Sequence, residues 1–338
     1  MIELDDRPRF LFVGRCYFPD AGGVACDIQY VECLANCDGA NPTYSLPIKL
    51  GETGQNWLRP SLTVVGGTLV AAWPGQVGHP AAYAECSNAC DQGSSWVVSQ
   101  SLGSGAIAVT ASGSLRAALL FESGSATAPK YSECTNGCDS DAGWRRLDLP
   151  VPNPMGVGLS LSLAEDPDSG VLWRTVAHAQ GVYAECSGPD CTSSAAAWNV
   201  GTFTTGAAAM TQVVLDRAML PRIFFQTNST LAWARCMQRP CTSPADWIIT
   251  NTNRHTYLNA ASVGRAVDGR TYFSASVDEG IIVGLESADG GYDITTLSTC
   301  WGLSSMRDPA VLLRPGDKWR VAFTNWRDGG VAVYSDLP

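Results

Sequence analysis

The side chains that could do chemistry begin with three arginines, each placed beside a proline where a β-strand would start. They occur in Arg7-Pro8, in Arg59-Pro60 and in Arg307-Asp308-Pro309. A guanidinium group pairs bidentately with carboxylate or sulfate groups. Because the net charge of the chain is −10, three arginines at one site would create a local preference for anions. The sequence therefore predicts capture of an anionic ligand. The alternative is that each arginine braces neighbouring strands through backbone carbonyls.

A second set of reactive side chains lies in the segment Arg254-His255-Thr256-Tyr257. Histidine and tyrosine can act as general base and general acid, and arginine can neutralise the carboxylate of a uronic acid. If the protein is an enzyme, we expect Tyr257, His255 and Asp308 to be its catalytic groups. The alternative for His255 is a solvated loop histidine. Three tryptophans could stack on sugar rings in the same region: Trp57, Trp301 and Trp326.

Ten of the 13 cysteines fall into five short pairs, with three or four residues between the two members. Zinc sites usually use Cys-x2-Cys spacing and need two such pairs, or a pair of histidines, for one metal ion. Here the pairs are far apart and the chain has only 3 histidines. The spacing therefore predicts local disulfides and an oxidising compartment. The pairs are Cys33/Cys37, Cys86/Cys90, Cys134/Cys138, Cys186/Cys191 and Cys236/Cys241.

Three cysteines lie outside these pairs. Cys16 and Cys26 could bridge to each other, which leaves Cys300 as the expected free thiol. The first residues of the chain have neither the basic nor the apolar region of a signal peptide. Because disulfides persist in oxidising compartments, we expect a mature secreted or periplasmic protein whose leader has been removed.

The cysteine pairs belong to a longer repeat, which must position the reactive side chains. An aromatic residue lies three positions before the first cysteine, usually with Glu between them, and another aromatic follows the second cysteine. Each period contains four short apolar or alternating runs separated by turn residues, which is typical of β-strands. A period of about fifty residues built from strands indicates a β-propeller. The aromatics after the cysteine pairs are Tyr44, Trp96, Trp144, Trp198 and Trp247.

The repeat predicts an all-β fold, with one domain over residues 1–338 that forms a seven-bladed propeller of four-stranded blades. The last period stops one strand short. We expect Met1–Asp5 to supply this strand and to close the ring, which would cover two open sheet edges. The loops before the first strand of each blade and between its second and third strands would share one face. Because binding residues concentrate on such loops, we expect function there.

One turn resembles a motif of a known family. The segment Asp91-Gln92-Gly93-Ser94-Ser95-Trp96 contains the Asp-x-Gly-x-x-Trp of the Asp box, or BNR repeat, of sialidase-like β-propellers. Asp38-Gly39 and Asp289-Gly290 are looser versions. In such a turn the carboxylate can accept backbone N–H groups, the glycine takes a positive φ and the aromatic packs between blades. Because the cysteine pair and the aromatic recur in nearly every period, we interpret them as structural.

The resemblance to sialidase-like propellers also has implications for the site. Sialidases hold the carboxylate of their substrate with three arginines, and Arg307-Asp308-Pro309 is similar to the strand start that carries one of them. They also use a tyrosine–glutamate pair as nucleophile. The resemblance makes Tyr257, together with Glu279 or Asp278, the nearest candidate for that pair.

Composition narrows the classes of function. No apolar run approaches the roughly 20 residues of a membrane span, and an acidic chain is a poor partner for nucleic acid.

We expect no cofactor, no metal ion and a monomer. The main hypothesis is an exported recognition propeller that binds an acidic glycan or another anionic small ligand at the mouth of the central channel. The alternatives are a glycoside hydrolase or polysaccharide lyase of sialidase-like type, and a protein-binding scaffold.

Overall fold

The structure is a computed structural model of the 338-residue chain. It divides into two compact units, unit 1 (Met1–Leu149) and unit 2 (Pro150–Pro338). Among the residues that the structure describes, none of the helices has the length and apolar character needed to cross a membrane. These residues are 1–5, 7–17, 25–37, 41–53, 60–73, 75, 82–99, 106–121, 128–151, 159–206, 208–278, 280–297, 306–325 and 330–337.

The described residues of unit 1 form three antiparallel sheets. Sheet 1 consists of β1 (Ile2–Leu4), β2 (Arg7–Tyr17), β3 (Ala25–Ala35), β4 (Thr43–Tyr44) and β5 (Ile48–Thr53). Sheet 2 consists of β6 (Ser61–Val65), β7 (Thr68–Trp73), β8 (Ala82–Cys86) and β9 (Val97–Ser99). Sheet 3 consists of β10 (Ala106–Ser112), β11 (Leu115–Phe121), β12 (Lys130–Cys134) and β13 (Arg145–Asp148). Two single-turn 3-10 helices precede the last strands of sheets 2 and 3: η1 (Gly93–Ser95) and η2 (Asp141–Gly143).

Unit 2 continues the same pattern. Sheet 4 consists of β14 (Leu159–Glu165), β15 (Leu172–His178), β16 (Val182–Cys186) and β17 (Asn199–Thr202), with η3 (Ala195–Ala197) before β17. A seven-stranded sheet follows, built from β18 (Ala209–Leu215), β19 (Pro221–Thr227), β20 (Thr230–Cys236), β21 (Trp247–Arg265), β22 (Thr271–Val277), β23 (Gly280–Glu286) and β24 (Tyr292–Leu297), with η4 (Pro244–Asp246) before β21. The last sheet consists of β25 (Met306–Arg314), β26 (Lys318–Asn325) and β27 (Gly330–Leu337).

The long strand β21 serves two sheets. Its first part pairs with β20 and its last part pairs with β22. We therefore call β18–β20 with the first part of β21 sheet 5, the last part of β21 with β22–β24 sheet 6, and β25–β27 sheet 7. The pairing shifts register between Thr256 and Ala261, where the strand passes from one sheet to the next.

Tight hairpins join the first and second strands of these sheets, as predicted. In sheet 2, Val65 pairs with Thr68 around Gly66 and Gly67. The two glycines have φ angles of 55° and 83°, a region that glycine reaches without the steric cost that a Cβ would bring. Such turns match the right-handed twist of the strands that they connect.

The N-terminal strand differs from its prediction. In the described residues, Met1–Asp5 folds back on its neighbour, and Leu4 pairs with Arg7 around a turn in which Asp5 has a φ of 53°. The local pairing closes a far shorter loop than pairing across the whole chain would, so it costs less chain entropy. β1 is thus the first strand of sheet 1, and β2 is its second. Sheet 7 has three strands among the described residues.

The five predicted cysteine pairs are all disulfide-bonded. A sixth bridge joins Cys16 to Cys26, which face each other across β2 and β3. Cys300 lies outside the described residues. A bridge that closes such a short loop constrains the unfolded chain modestly, so we expect about 2 kcal/mol from each of the five repeated bridges.

The tryptophan after each cysteine pair is fixed by its own disulfide loop. In four sheets the indole Nε1 donates to the backbone carbonyl of the second cysteine: Trp96 to Cys90 at 2.9 Å, Trp144 to Cys138 at 2.9 Å, Trp198 to Cys191 at 2.9 Å and Trp247 to Cys241 at 3.3 Å. The bond satisfies the one polar atom of a buried indole. The cysteine pair and the aromatic are therefore one structural device.

The same tryptophans pack between neighbouring sheets, which confirms their predicted role. Three of them meet the tyrosine of the preceding sheet edge to face, with centroid distances of 4.9 Å for Tyr30 and Trp96, 5.5 Å for Tyr83 and Trp144, and 5.3 Å for Tyr183 and Trp247. Aromatic pairs of this geometry contribute about 0.5–1.5 kcal/mol beyond their buried area. They hold adjacent sheets together within each unit.

Candidate functional site

Each sheet has two ends with different contents. The cysteine end carries the hairpin between the first and second strands and, in sheets 1 to 5, the disulfide loop. The loop end carries the connection between the second and third strands and the chain segment that leads to the next sheet. In sheet 5 the cysteine end contains Cys236 and Cys241, and the loop end contains the turn between Thr227 and Thr230. We expect function at the loop end, because the cysteine end repeats from sheet to sheet.

The cysteine end is built around a buried glutamate. In sheets 1 to 4 a tyrosine hydroxyl donates to the glutamate two positions later on the same strand, because residues i and i+2 share one face. The O···O distance is 2.6 Å from Tyr30 to Glu32, and the same bond joins Tyr83 to Glu85, Tyr131 to Glu133, and Tyr183 to Glu185. Burial and the nearby carboxylate raise the pKa of Tyr30, Tyr83 and Tyr183 above the ordinary value.

Arginines neutralise these glutamates, and several do so from the next sheet. Arg116 on β11 reaches Glu85 on β8 at 3.0 Å. Arg239 reaches Glu185, and its guanidinium carbon lies 3.5 Å from the ring centroid of Trp173. The buried carboxylates among the described residues are all paired in this way: Glu32 with Arg9, Glu133 with Arg145, Glu185 with Arg239, and Asp216 with Arg222. We interpret these groups as inter-strand and inter-sheet clamps.

The turn at Asp289, between the third and fourth strands of sheet 6, lies at the end that corresponds to the cysteine end. Asp289 accepts the backbone N–H of Gly291 at 2.9 Å and the hydroxyl of Ser287 at 2.5 Å. These bonds hold the pKa of the Asp289 carboxyl below its usual range. Gly290 between them has a φ of 80°, whereas Gly93 in the turn after Asp91 begins η1 and does not have the predicted positive φ. Asp38-Gly39 lies outside the described residues.

The loop end of unit 2 brings three segments together. The backbone N–H of Thr256 donates to the carbonyl of Ser229 at 2.8 Å, and the N–H of Asp278 donates to the carbonyl of His255 at 3.2 Å. The side-chain amide of Gln226 also donates to the carbonyl of Thr256 at 3.0 Å. We call Asn228-Ser229, Arg254–Thr256 and Asp278 the three-loop cluster.

Local turns explain why the three-loop cluster forms. Asn228 and Ser229 have φ angles of 47° and 62° and make a two-residue turn between β19 and β20. Asn253 has a φ of 56°, and its N–H donates to the side chain of Asn251 at 2.9 Å. Asparagine tolerates the left-handed region because its side chain can bond to nearby backbone groups. These turns direct the segment before Thr256 against the neighbouring loops.

The side chains of the three-loop cluster are accessible. Asn228, His255 and Asp278 are exposed, and Arg254 is half-buried. The cluster thus combines a guanidinium, an imidazole, a carboxylate and an amide within one set of loops. Such a set can bind an anionic group and the hydroxyls that surround it. The Arg254-His255 segment thus lies beside the loops that join the second and third strands of sheets 5 and 6.

Arg7 is placed differently from its prediction. It is exposed, but it starts β2, the second strand of sheet 1, and pairs with Leu4 at the cysteine end. The cause is the N-terminal hairpin, which makes β1 the first strand. Arg9, two residues later, is the buried arginine of this segment and belongs to the Glu32 clamp. Arg7 is therefore at the wrong end of its sheet to join the loops.

Other predicted site residues are described only in part or not at all. The backbone of Arg307 and Asp308 starts β25, and that of Tyr257 lies in β21, but their side chains are outside the described residues. Arg307 pairs with Thr324 near the loop end of sheet 7. The remaining predicted residues lie outside the described ranges: Arg59, Trp57, Trp301, Trp326 and Glu279.

A charged cluster at the loop end of sheet 1 escaped the sequence analysis. Asp27 and Glu52 face each other across β3 and β5. The Lys49 ammonium lies 2.7 Å from Asp27 Oδ1 and 2.5 Å from Glu52 Oε1, and the Tyr17 hydroxyl donates to Glu52 at 2.6 Å. Bonds to the two carboxylates raise the pKa of Lys49, and the bond to Glu52 raises that of Tyr17. Only the register of β3 against β5 unites these residues, and no local pattern signals it.

His178 ends β15 at the loop end of sheet 4, but it is fully buried. Its Nδ1 accepts the backbone N–H of Gln180 at 3.0 Å, and its Nε2 has no hydrogen-bond partner among the described residues. Burial lowers the pKa of His178 to about 4. The side chain is therefore neutral at pH 7 and inaccessible to a ligand from solvent. Among the described residues, no group of His, Cys, Asp and Glu is arranged to hold a metal ion.

Comparisons with known proteins define the fold. No protein-family model matches the sequence, and no curated protein matches it. Among solved structures, the chain is similar to the β-propeller domain of Cps50 (Swd1) from Myceliophteria thermophila, with 11% identity over 99% of each chain and a TM-score of 0.51. The chain has the fold of a β-propeller.

The chain is also similar to two other solved structures. A triple arginine-to-alanine variant of AofleA from Arthrobotrys oligospora matches with 12% identity over 87% of this chain and 90% of its own, at a TM-score of 0.54. The NanB sialidase of Streptococcus pneumoniae matches with 13% identity over 97% of this chain and 67% of its own, at a TM-score of 0.44. At these identities the similarities concern the fold.

Proposed function

We propose that the protein is an exported recognition protein that binds an acidic glycan or another anionic small ligand at the loop end of its sheets. The observation that carries the proposal is the three-loop cluster of unit 2. There, two backbone bonds hold Thr256 against Ser229 and His255 against Asp278, and Arg254 comes directly before them in the same segment. The cluster offers an anion-binding cation on loops that differ from sheet to sheet, where ligand contacts concentrate.

The chemistry of the three-loop cluster suits an acidic sugar. Arg254 is half-buried, and partial removal of water strengthens a bidentate bond between guanidinium and carboxylate or sulfate. His255 and Asn228 can donate to the same anion or to a hydroxyl. Asp278 can accept from sugar hydroxyls. In a chain with a net charge of −10, this local cation would direct anionic ligands to one place.

The buried carboxylates support recognition rather than hydrolysis. A general acid needs a carboxyl group whose proton is available near neutral pH. Each buried carboxylate of the described residues is instead paired with an arginine at the cysteine end, away from the loops that we propose to bind the ligand. Catalysis by Tyr257, His255 and Asp308 stays a prediction.

Further ligand contacts remain part of the proposal. In unit 2 they are Arg307, which starts β25, and the aromatic side chains of Trp301 and Trp326. In unit 1 they are Arg59 and Trp57. Arg7 is not among them, because it lies at the cysteine end of sheet 1.

The proposal includes the architecture of the whole chain. We propose seven blades in a single domain, because β21 divides the seven-stranded sheet into sheets 5 and 6. Six disulfides support export to an oxidising compartment, secreted or periplasmic. A single domain predicts one cooperative unfolding transition by calorimetry. Two separate transitions would contradict it.

The binding proposal is tested with a glycan array that contains uronate, sulfated, sialylated and neutral oligosaccharides. We expect binding to acidic members, and we expect affinity to fall as the salt concentration rises because charge attraction is screened. Binding to neutral members alone would contradict the proposed ligand class. Absence of binding to any member, together with a stable protein complex from pull-down, would favour the protein-binding scaffold.

A further inference from the structure

The bridge between Cys16 and Cys26 occupies a different position in its sheet from the five other disulfides. The five others lie at the cysteine ends, within the repeat that positions the buried aromatics. Cys16–Cys26 lies at the loop end of sheet 1, outside the repeat, and spans a sequence separation of 10. A structural requirement that is common to the sheets therefore does not explain it.

Its exposure differs as well. Cys16 is exposed, whereas the first cysteine of each repeated bridge is fully or almost fully buried. Among the twelve bridged cysteines that the structure describes, Cys16 is the exposed one. Thiol exchange requires a thiolate to approach a sulfur atom, so accessible bridges react first.

The two strands would keep the cysteines together after reduction. Cys16 faces Cys26 and Tyr17 faces Ala25 in the pairing of β2 with β3, and the Cα atoms of the cysteines are 4.0 Å apart. This pairing and the Tyr17–Glu52 bond do not depend on the bridge. Reduction would therefore leave two adjacent thiols that can be oxidised again.

We propose that Cys16–Cys26 is a thiol-exchange site that takes small thiols such as glutathione, while the five repeated bridges stay oxidised in the folded protein. A thiolate attacks Cys16 Sγ, forms a mixed disulfide and releases Cys26 as a thiolate. A second thiol then displaces Cys16 and leaves as the oxidised thiol dimer. Two electrons pass from the two small thiols to the bridge, and both cysteines end as thiols. The exchange releases the covalent tie between β2 and β3 beside Lys49 and Glu52.

The test is stepwise reduction of the folded, full-length protein. Free thiols are first blocked with iodoacetamide. The protein then meets increasing concentrations of glutathione, and new thiols are trapped with isotope-labelled iodoacetamide and mapped by mass spectrometry. Tryptophan fluorescence reports whether the fold persists. We expect Cys16 and Cys26 to be labelled at glutathione concentrations at least about tenfold lower than any other pair, with native fluorescence.

Two double variants control the assignment. Cys16→Ser with Cys26→Ser should abolish the labelling at low glutathione, and Cys33→Ser with Cys37→Ser, in the same sheet, should leave it unchanged. Reoxidation with oxidised glutathione should restore the bridge in the unmodified protein. Three results would overturn the proposal. A repeated pair could be labelled first, all pairs could be labelled together, or Cys16 could stay unlabelled until the fluorescence changes. The mapping uses the unmodified chain, so the result does not depend on the folding of either variant.

Discussion

The backbone N–H of Asp278 donates to the carbonyl of His255 at 3.2 Å. This bond joins the loop end of sheet 6 to the segment that leads into it from sheet 5. Together with the bond from Thr256 to Ser229, it holds the segment that carries Arg254 and His255 against two neighbouring loops of unit 2. The proposed recognition function depends on this arrangement.

The first prediction concerns the clamp at the cysteine end of sheet 4. In Glu185→Gln, Arg239 would keep its contact with Trp173 but lose its buried carboxylate partner. Breaking one partner of a buried ion pair costs about 3–5 kcal/mol, so we expect a loss of this size in the free energy of unfolding, measured with denaturant. Glu165→Gln, at an exposed carboxylate of the same sheet, is the matched control and should change it little. Equal effects of the two variants would refute the clamp.

The second prediction concerns Trp144, which links the disulfide loop of sheet 3 to the interface between sheets 2 and 3. Trp144→Ala would remove the edge-to-face contact with Tyr83 and the bond to the Cys138 carbonyl. Truncation of a buried tryptophan costs about 3–5 kcal/mol. Val97→Ala, at an exposed position of an outer strand, should cost well under 1 kcal/mol. If thermal and denaturant unfolding show similar losses for both, Trp144 does not have the role assigned to it.

The repeated features of the sheets could be predicted from the sequence, whereas the pairing partner of the N-terminal strand could not. The cysteine pair, the following tryptophan and the Gly66-Gly67 hairpin are local signals, and each led to the structure observed. Arg7 was misplaced because strand-like patterning of Met1–Asp5 does not reveal which strand it pairs with. A local hairpin and a closing strand have the same sequence pattern, and only the entropy of loop closure separates them.

The charged cluster of sheet 1 was missed for a related reason. Asp27 is distant in sequence from Lys49 and Glu52, which lie on one strand, and it meets them only through the register of β3 with β5. A shift of one residue would place Asp27 on the opposite face. The Arg254-His255 segment could be selected because it stands out within its own loop, but its partners Ser229 and Asp278 come from other loops and were not predictable as a group.

The third prediction tests that charged cluster. Lys49→Met would leave the carboxylates of Asp27 and Glu52 directly opposite each other without a cation. Like charges in this position are destabilising, and we expect a loss of about 0.5–1 kcal/mol in the free energy of unfolding at pH 7. Adding Glu52→Gln to the variant should recover most of the loss. Lys318→Met, at an exposed lysine of unit 2, serves as the control. A loss that persists in the double variant would argue against carboxylate repulsion.

The fourth prediction is a pH dependence that arises from His178. Its pKa is about 4 in the folded protein and about 6.5 in an unfolded chain. Between these values the unfolded state binds a proton that the folded state does not, so the contribution of His178 to stability is complete above about pH 6.5 and is lost as the pH falls towards 4. His178→Gln should remove about 2 kcal/mol of the loss in unfolding free energy between pH 7 and pH 4.5.

The matched control for this experiment is His255→Gln, because His255 is exposed. Denaturant unfolding curves at a series of pH values measure the effect for each protein. The His255 variant should keep the pH profile of the unmodified protein. A profile that is unchanged in His178→Gln would show that the buried imidazole does not resist protonation.

The most direct test of the central claim is a calorimetric titration of the acidic glycan that binds best on the array. We compare the unmodified protein with Arg254→Ala and with Arg217→Ala, which removes an exposed arginine at the cysteine end of the same sheet. A lost charge-assisted bond corresponds to about a 10- to 100-fold change in affinity. We predict a loss of this size for Arg254→Ala and unchanged affinity for Arg217→Ala. Equal affinity of Arg254→Ala and the unmodified protein would contradict recognition at the three-loop cluster.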